Sequence, residues 1–451
     1  MKIIILGAGK VGEAIAKDLV QEEHDITLIE KDEKIFMAMM NKYDINGVVG
    51  NGASFDILSQ ANIHDADVFV AVTANDEINM IACVLAKKMG AKETVARVRN
   101  PEYANLSEMM STSLGITAII NPELQAAQDI MQLIGFPMAD SFESFANDEA
   151  AIVQMAVTKS FPLVGRNLIE FRQRYKNLIV CFTHANGQYF IPTGFHRINE
   201  GDELFVTGPF EEIYSLYKDN GQMNEKIRSI LIIGGGLVGE YVIKLFKNSS
   251  IKFKLIEIDS DRAEELSIAY PHVEVINADG TSITVLEEQG AKNFDALLAL
   301  TGIDEENIIV SMVAEKLGIK KRLTKINRTE LLDLIDPVGL KSIITPKRIT
   351  ADQIIQYVRA LVNSKGSNVE ALYKLAGDRV EALQFKVKAG SKATQKTLKD
   401  TKFIDDVLIA YVYRNGKLFF PSGHDRLMAD DRVILISAND RHLKDLDEII
   451  L

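Results

Sequence analysis

The sequence predicts an α/β chain of duplicated build: two doubly wound parallel sheets, each followed by a small α+β unit. Three observations carry this. Short, wholly apolar runs alternate with amphipathic stretches, the pattern of buried parallel strands between helices. Two of those runs, Ile3–Leu6 and Ile230–Ile233, feed directly into glycine-rich turns, KIIILGAGKVG at Lys2–Gly12 and SILIIGGGLVG at Ser229–Gly239. The elements that follow the first turn also return, in order, after the second.

Each turn reads G-x-G-x-x-G, with Gly7, Gly9 and Gly12 in the first and Gly234, Gly236 and Gly239 in the second. In such a turn the first glycine permits a tight strand-to-helix bend. The second lets a pyrophosphate touch backbone, and the third lets helix and strand pack closely. The ligand's negative charge then lies at a helix N-terminus, where N–H groups and the dipole favour it. Second apolar runs, ITLIE ending in Glu30 and KLIE ending in Glu257 before Ile258, follow each turn. Both acids lie near the spacing of about 20 residues at which a carboxylate meets a ribose diol. These are Rossmann-like units suited to a nucleotide with a free 2′-hydroxyl, which argues against NADP.

In chain order, Ala14, Ile15, Leu19 and Val20 mark the amphipathic helix after the first turn. A polar helix follows Glu30, then a strand near Gly47–Val49 and the turn Gly50-Asn51-Gly52-Ala53. Val68–Val72 is a fully apolar strand ending in Thr73-Ala74-Asn75-Asp76. Ile81–Ala86 is helical, and Thr94–Val98 and Gly115–Ile120 complete the sheet. Asn121-Pro122 opens a helix with a capping residue and proline at the first position. From about Phe142 the texture changes to strand-like pieces at Ala151–Val157, Leu178–Thr183 and Glu203–Val206, with Asn186-Gly187 as a hairpin turn. The polar stretch Lys218–Lys226 then leads to Ser229.

The second half replays this. Glu30 recurs as Glu257, and Thr73, Asp76, Glu77 and Asn79 recur as Thr301, Asp304, Glu305 and Asn307. Asn121-Pro122 recurs as Thr345-Pro346, and Asn186-Gly187 as Asn415-Gly416. The expected domains are residues 1–138 and 225–366 (Rossmann-like) and 139–224 and 367–451 (small α+β).

Composition narrows the function. A net charge of −12 disfavours nucleic acid as a partner. No apolar run approaches the roughly 20 residues of a membrane span, and the first residues enter a strand without a leader, so a cytoplasmic protein is expected. Cys83 and Cys181 read as reduced core residues. The histidines show no metal spacing, with His184 and His196 expected on hairpin surfaces, so no metal site is expected. The cluster Met37–Met40 reads as helix packing.

With KIIILGAGKVG, AVTANDEINM, ARVRNPEY and GDELFVTG, and the second copies SILIIGGGLVG, ALTGIDEENI and TKINRTE, nearly the whole chain resembles the TrkA family. These are nucleotide-binding regulatory subunits of bacterial Trk potassium uptake, built from tandem RCK (KTN) domains. The resemblance implies NAD(H) and ATP/ADP as ligands and a TrkH-type membrane potassium-translocating subunit as partner. It also implies a homotetramer whose eight RCK units form a gating ring, bound peripherally to the inner membrane face.

Residue by residue, it implies that Gly7, Ala8, Gly9, Lys10, Val11 and Gly12 cradle the pyrophosphate while Glu30 holds the adenosine ribose. Asn51, Gly52, Thr73, Ala74 and Arg97 complete the site. The second-half equivalents are Gly234, Gly235, Gly236, Leu237, Val238, Gly239, Glu257, Asp279, Gly280, Thr301, Gly302 and Lys325. The turn after strand three is commonly G-D-x-[ST] in such domains. Gly50-Asn51-Gly52-Ala53 loses its acid and hydroxyl, whereas Ala278-Asp279-Gly280-Thr281 keeps both. Conversely, Arg97 is only Lys325 in the second half, which removes the fork that suits phosphate oxygens. The two sites are therefore expected to be unequal.

Thr73 and Thr301 could equally cap the helices that follow them. The helices opening at Pro122 and Pro346 carry apolar faces (Leu124, Ala127, Ile130, Met131 and Ile354, Ile355, Val358, Leu361) suited to crossing onto a neighbouring unit. The rival function is an NAD-dependent oxidoreductase. It lacks support, because no His–Asp or Tyr–Lys arrangement stands beside a glycine turn and the small units make poor substrate domains. No catalytic residue is therefore assigned.

Overall fold

The computed structural model describes residues 1–22, 24–104, 109–145, 150–222, 226–328, 331, 340, 342–363, 369–376, 379–438, 443 and 445–451. The first sheet holds β1 Lys2–Leu6, β2 Asp25–Glu30, β3 Asn46–Val49, β4 Val68–Ala71, β5 Glu93–Arg97 and β6 Ala118–Ile120. Their order is β3-β2-β1-β4-β5-β6, all parallel. Helices cover both faces, which is why Ile3–Leu6 and all of β4 are buried rather than alternating. The strand order reverses between β1 and β4, so a crevice opens at their C-terminal ends, where the first glycine turn lies.

The first small sheet contains β7 Phe142–Phe145, β8 Ala150–Ala156, β9 Ile179–Ala185, β10 Gln188–Phe190 and β11 Glu203–Thr207, ordered β10-β9-β11-β8-β7 with antiparallel pairing. Asn186 and Gly187 take φ values of 52° and 75°, the double positive φ that a two-residue hairpin demands.

The second half repeats both sheets. Strands β12 Ser229–Ile233, β13 Lys252–Glu257, β14 Glu274–Asn277, β15 Ala296–Ala299, β16 Lys321–Lys325 and β17 Ser342–Ile344 run in the order β14-β13-β12-β15-β16-β17. Strands β18 Val369–Leu375, β19 Val380–Lys386, β20 Val407–Arg414, β21 Lys417–Phe419 and β22 Arg432–Ser437 run β18-β19-β22-β20-β21.

Two compact units result, and they group sheets by kind. One joins Met1–Gly135 with Ile227–Ile355, the other Phe136–Lys226 with Gln356–Leu451. In the second of these the two small sheets share one core. Phe182 and Phe205, stacked at 4.0 Å, meet Val380, Ala410, Tyr411 and Ile434 across it.

In the first unit the helix Pro122–Gly135 of one half packs on the helix Leu237–Leu245 of the other. The crossing expected of this helix is thus made within the chain. Asn121 caps it as its position suggested, with Oδ1 accepting from Leu124 N at 2.8 Å. Ala126, Ala127 and Ile130 are fully buried, whereas Met131, expected on the apolar face, stays 36% exposed.

Cys83 and Cys181 are buried and free. Of the methionine cluster only Met39 is buried, and Met37 faces solvent. His184 lies on the β9–β10 hairpin with its side chain 23% exposed; it stands opposite Glu203 in the β9–β11 ladder, bonds its carboxylate at 2.9 Å and stacks on Tyr189. Among the described residues no helix is long and apolar enough to cross a membrane.

Candidate functional site

Each glycine turn separates what the fold needs from what a ligand needs. Gly7 and Gly234 adopt φ of +104° and +100°, and a Cβ on either would press against the end of the neighbouring strand, at Thr73 or Leu300. A Cβ on Gly12 would lie 1.9 Å from the Gly7 carbonyl oxygen, and one on Gly239 would lie 2.8 Å from that of Gly234. These four glycines are demanded by backbone approach. Gly9 and Gly236 are different. Their φ values are −66° and −67°, and no atom of the surrounding protein comes within 4 Å of where a Cβ would stand. The fold tolerates a side chain there, so the open space suits a group approaching the backbone. The helices Lys10–Gln21 and Leu237–Leu245 begin at these residues with no side-chain cap, leaving the N-terminal dipole for an anion. A pyrophosphate fits both turns on these grounds.

The two acids are placed by identical bonding. Glu30 accepts from Ala8 N at 2.7 Å through Oε2 and from Asp32 N at 2.9 Å through Oε1. Glu257 accepts from Gly235 N at 2.6 Å and Asp259 N at 2.9 Å. Each carboxylate therefore clips its glycine turn to the end of the second strand. An ionised carboxylate offers about four lone-pair sites, so two of these remain for a ribose diol.

Thr73 and Thr301 do not cap the helices after them. The Thr73 hydroxyl accepts from Asn75 N at 3.2 Å, and Asn75 is the cap, accepting from Ile78 N at 2.7 Å. Thr301 likewise accepts from Ile303 N at 3.2 Å, closing a local turn. The backbone N–H of each threonine donates to a fully buried asparagine, Asn79 at 2.9 Å and Asn307 at 2.8 Å. Asn79 Nδ2 reaches on to the Arg97 carbonyl, and Asn307 Nδ2 to that of Lys325, each at 2.9 Å.

Sequence reasoning used these asparagines, with Asp76 and Asp304, only as markers of the repeat. The aspartates are in fact ties. Asp76 accepts from the backbone of Arg99 and Asn100 at 2.7 and 2.9 Å, and Asp304 accepts from Asn327 and Arg328 at 2.9 Å each. The repeated T-x-x-D-x-x-N spacing was the signal that could have found them. Ala74 is exposed, and its carbonyl accepts from the Arg99 guanidinium. Gly302 is exposed, with open space where a side chain would stand.

The sites diverge at the end of the fifth strand. The Arg97 side chain is 11% exposed and meets Glu123 of the crossover helix at 3.4 Å. Arg97 Nε and Glu123 Oε2 are buried without a hydrogen-bond partner. Burial lowers the Arg97 pKa and raises that of Glu123, while their mutual attraction opposes both shifts. A guanidinium stays charged regardless. Lys325 instead donates to the Leu300 carbonyl at 3.1 Å, and burial lowers its pKa. Glu123, although it belongs to the first half, also acts electrostatically on Lys325.

Asn51 and Asp279 both form local turns, accepting from Ala53 N at 3.1 Å and Thr281 N at 2.9 Å. The Thr281 hydroxyl adds a 2.6 Å bond, and these contacts lower the Asp279 pKa. Gly52 and Gly280 are buried, and a Cβ there would strike Leu6 or Ile233. Packing alone accounts for those two glycines. No group of three or more potential metal ligands occurs among the described residues.

Comparison with known proteins agrees with this geometry. The TrkA-N domain model matches residues 3–122 and 230–346, and the TrkA-C domain model residues 152–220 and 382–450. The Trk system potassium uptake protein TrkA homolog 1 of Methanosarcina mazei is 31% identical over 97% of each chain. The TrkA protein of Vibrio alginolyticus is 31% identical over 100% of this chain and 98% of its own. Among solved structures the GsuK channel aligns with a TM-score of 0.63 and 16% identity, over 97% of this chain and 77% of that one, a likeness of fold. The chain belongs to the TrkA family.

Proposed function

We propose that the chain is a nucleotide-sensing regulatory subunit that gates a Trk-type potassium uptake channel and binds NAD(H), ATP or ADP without turning them over. The observation that carries this reading is the pair of glycine turns whose second glycines, Gly9 and Gly236, face open space beside a carboxylate already fixed to the loop. The names of the full-length relatives supply potassium uptake as the process, and one GsuK structure is described as bound to NAD.

In this reading residues 1–138 and 225–366 are the nucleotide units, and 139–224 and 367–451 the small units. Glu30 and Glu257 take the ribose diol, the first turns of the two loop helices take the pyrophosphate, and Arg97 or Lys325 supplies positive charge. Four chains would supply the eight units of a ring docked on a TrkH-type partner at the membrane. The pairing of both Rossmann-like units inside one chain supports that arrangement. Gating requires each nucleotide to bind two states of the assembly unequally.

Calorimetry on the full chain tests the site. NADH, ATP and ADP should bind, and NADPH should bind at least about tenfold more weakly because its 2′-phosphate would face an acid in each half. Glu30→Gln or Glu257→Gln removes charge-assisted hydrogen bonds of roughly 1.5–3 kcal/mol, about 10- to 100-fold in that half's affinity. Equal affinities for NADH and NADPH would contradict the assignment. Consumption of NADH with a panel of hydroxy or keto acids would instead favour an oxidoreductase. Flux through the reconstituted channel, titrated with each nucleotide, tests gating.

A further inference from the structure

The two small units fill their cores differently. In the first, the helix Leu168–Arg174 buries Phe171, which is 2% exposed and shares its core with Leu178, Val180 and Val206. In the second, the same stretch holds only the short turn Leu398–Asp400. Matching backbone bonds fix the correspondence. Leu168 N and Ile169 N donate to the carbonyls of His196 and Gly194, and Leu398 N and Lys399 N donate to those of Asp425 and Gly423. Phe171 N donates to the Asn167 carbonyl, and Thr401 N to that of Thr397. Thr401 therefore stands where Phe171 stands, and its hydroxyl turns back to the Thr397 carbonyl at 2.9 Å.

The ring is not replaced. Val407, Ile409 and Leu435, the counterparts of Leu178, Val180 and Val206 by strand register, line a cavity of about 230 Å³ together with Phe403 and Ile449. An apolar cavity of roughly 150 Å³ is large enough to hold benzene, and pockets for drug-sized ligands begin near 300 Å³. This cavity therefore suits a single ring with a short side chain. Its exposed lining residues are Lys399, Ser422 and Gly423. Lys399 stands where the first unit has Ile169, so the cation and the cavity occur together in the second unit alone. Lys399 Nζ donates to His424 Nδ1 at 3.2 Å, and an ammonium has three donors to offer. The acids of the same loops are otherwise engaged. Asp425 accepts from Ser422 N and Oγ at 2.7 and 2.8 Å, and Asp400 accepts from the Thr397 hydroxyl.

We propose that the second small unit binds a small aromatic carboxylate, its ring in the cavity that Thr401 leaves and its carboxylate on Lys399 Nζ. Burial of the ring supplies affinity, and the ammonium selects the anion. The site is separate from the glycine turns and does not depend on nucleotide binding. The first small unit is closed by its own Phe171, and the second is closed by a ligand.

The test is calorimetric titration of the full chain with phenylacetate and with phenylacetamide, its uncharged analogue. Phenylacetate should bind with a submillimolar dissociation constant, and phenylacetamide about tenfold more weakly, the scale of one charge-assisted hydrogen bond. Lys399→Ile restores the first unit's residue. It should weaken phenylacetate by about the same tenfold and leave phenylacetamide unchanged. Thr401→Phe supplies the missing ring, and should abolish binding of both compounds while raising the melting temperature. Lys399 is exposed, so its variant keeps the test decisive if Thr401→Phe does not fold. Phenylacetate binding that is absent at millimolar concentration overturns the proposal. So does binding that matches phenylacetamide's, that Lys399→Ile leaves unchanged, or that persists in a folded Thr401→Phe chain.

Discussion

At the end of β5, Arg97 lies against Glu123 with part of each group unbonded, whereas at the end of β16 Lys325 is satisfied by a carbonyl of its own half. The backbone ties beneath these two residues are the same. Asn79 and Asn307 bond the same positions, Asp76 and Asp304 tie the same backbone, and Glu30 and Glu257 clip the same turn. The difference teaches that the duplication preserves the bonds that shape the crevice and varies the charges set into it. Strand-end backbone leaves little freedom, because each buried N–H and C=O needs its partner. A cation at a strand end can exchange one partner for another, a carboxylate for a carbonyl, so the halves can diverge in charge without losing the fold.

The largest expected effect breaks the comparison at its most unequal point. Arg97→Ala strands the Glu123 carboxylate, 15% exposed, beside an emptied site. Breaking a buried pair this way costs about 3 kcal/mol. Lys325→Ala removes one hydrogen bond to a carbonyl and the weaker attraction of Glu123, and leaves no carboxylate in direct contact stranded, for about 1 kcal/mol. Denaturant unfolding of the two variants measures the gap, and adding Glu123→Gln to Arg97→Ala should recover most of the larger loss. Equal losses at the two positions would mean that Glu123 is not the source of the asymmetry.

A smaller effect is expected at the join between the halves. Tyr241→Phe deletes a hydroxyl that serves both Arg99 and Asn121, which should destabilise the chain by about 1–2 kcal/mol. Ala14, its counterpart in the repeat, offers the first half no hydroxyl to lose, so this bond belongs to one side alone. Melting of Tyr241→Phe within a few tenths of a kcal/mol of the parent, as free energy at the midpoint, would show that the ring and not its hydroxyl holds the join.

The smallest effect sharpens the comparison instead of breaking it. Asn51→Asp with Ala53→Thr rebuilds the Asp279–Thr281 turn in the first half. Both turns sit at the edge of the crevice, with Asn51 and Asp279 exposed, so stability should move by less than about 0.5 kcal/mol. Any change in the ratio of ATP to NADH affinity then reports the ligand's own contact with the turn. A stability change above about 1 kcal/mol would show that the turn is structural.

Much of this was legible because its causes are local. Uninterrupted runs such as Ile3–Leu6, alternating with helices, read as strands covered on both faces of a parallel sheet, and Gly7 and Gly12 announce a turn that no side chain fits. Asn121 could be read as a cap because capping involves only its own neighbours. Thr73 misled for the same reason. Its hydroxyl had two local partners within reach, and the buried Asn79 decides how its backbone is held. The bond from His184 to Glu203 was not legible, because nothing in its own segment shows Glu203 standing opposite it.

By itself the sequence determined the two Rossmann-like sheets, the small sheets between and after them, the glycine turns and the acids beside them. All of these follow from patterns a few residues to a few tens of residues long. Only the tertiary structure decided that like packs with like, Met1–Gly135 with Ile227–Ile355 and Phe136–Lys226 with Gln356–Leu451. It alone set Glu123 against Arg97, placed Tyr241 beneath Arg99 and left an apolar cavity beside Val407. The physical reason is that such contacts are chosen by burial and charge between segments from 26 to 142 residues apart, where non-directional apolar surface finds its match. Periodicity within one segment carries no record of which distant face will cover it.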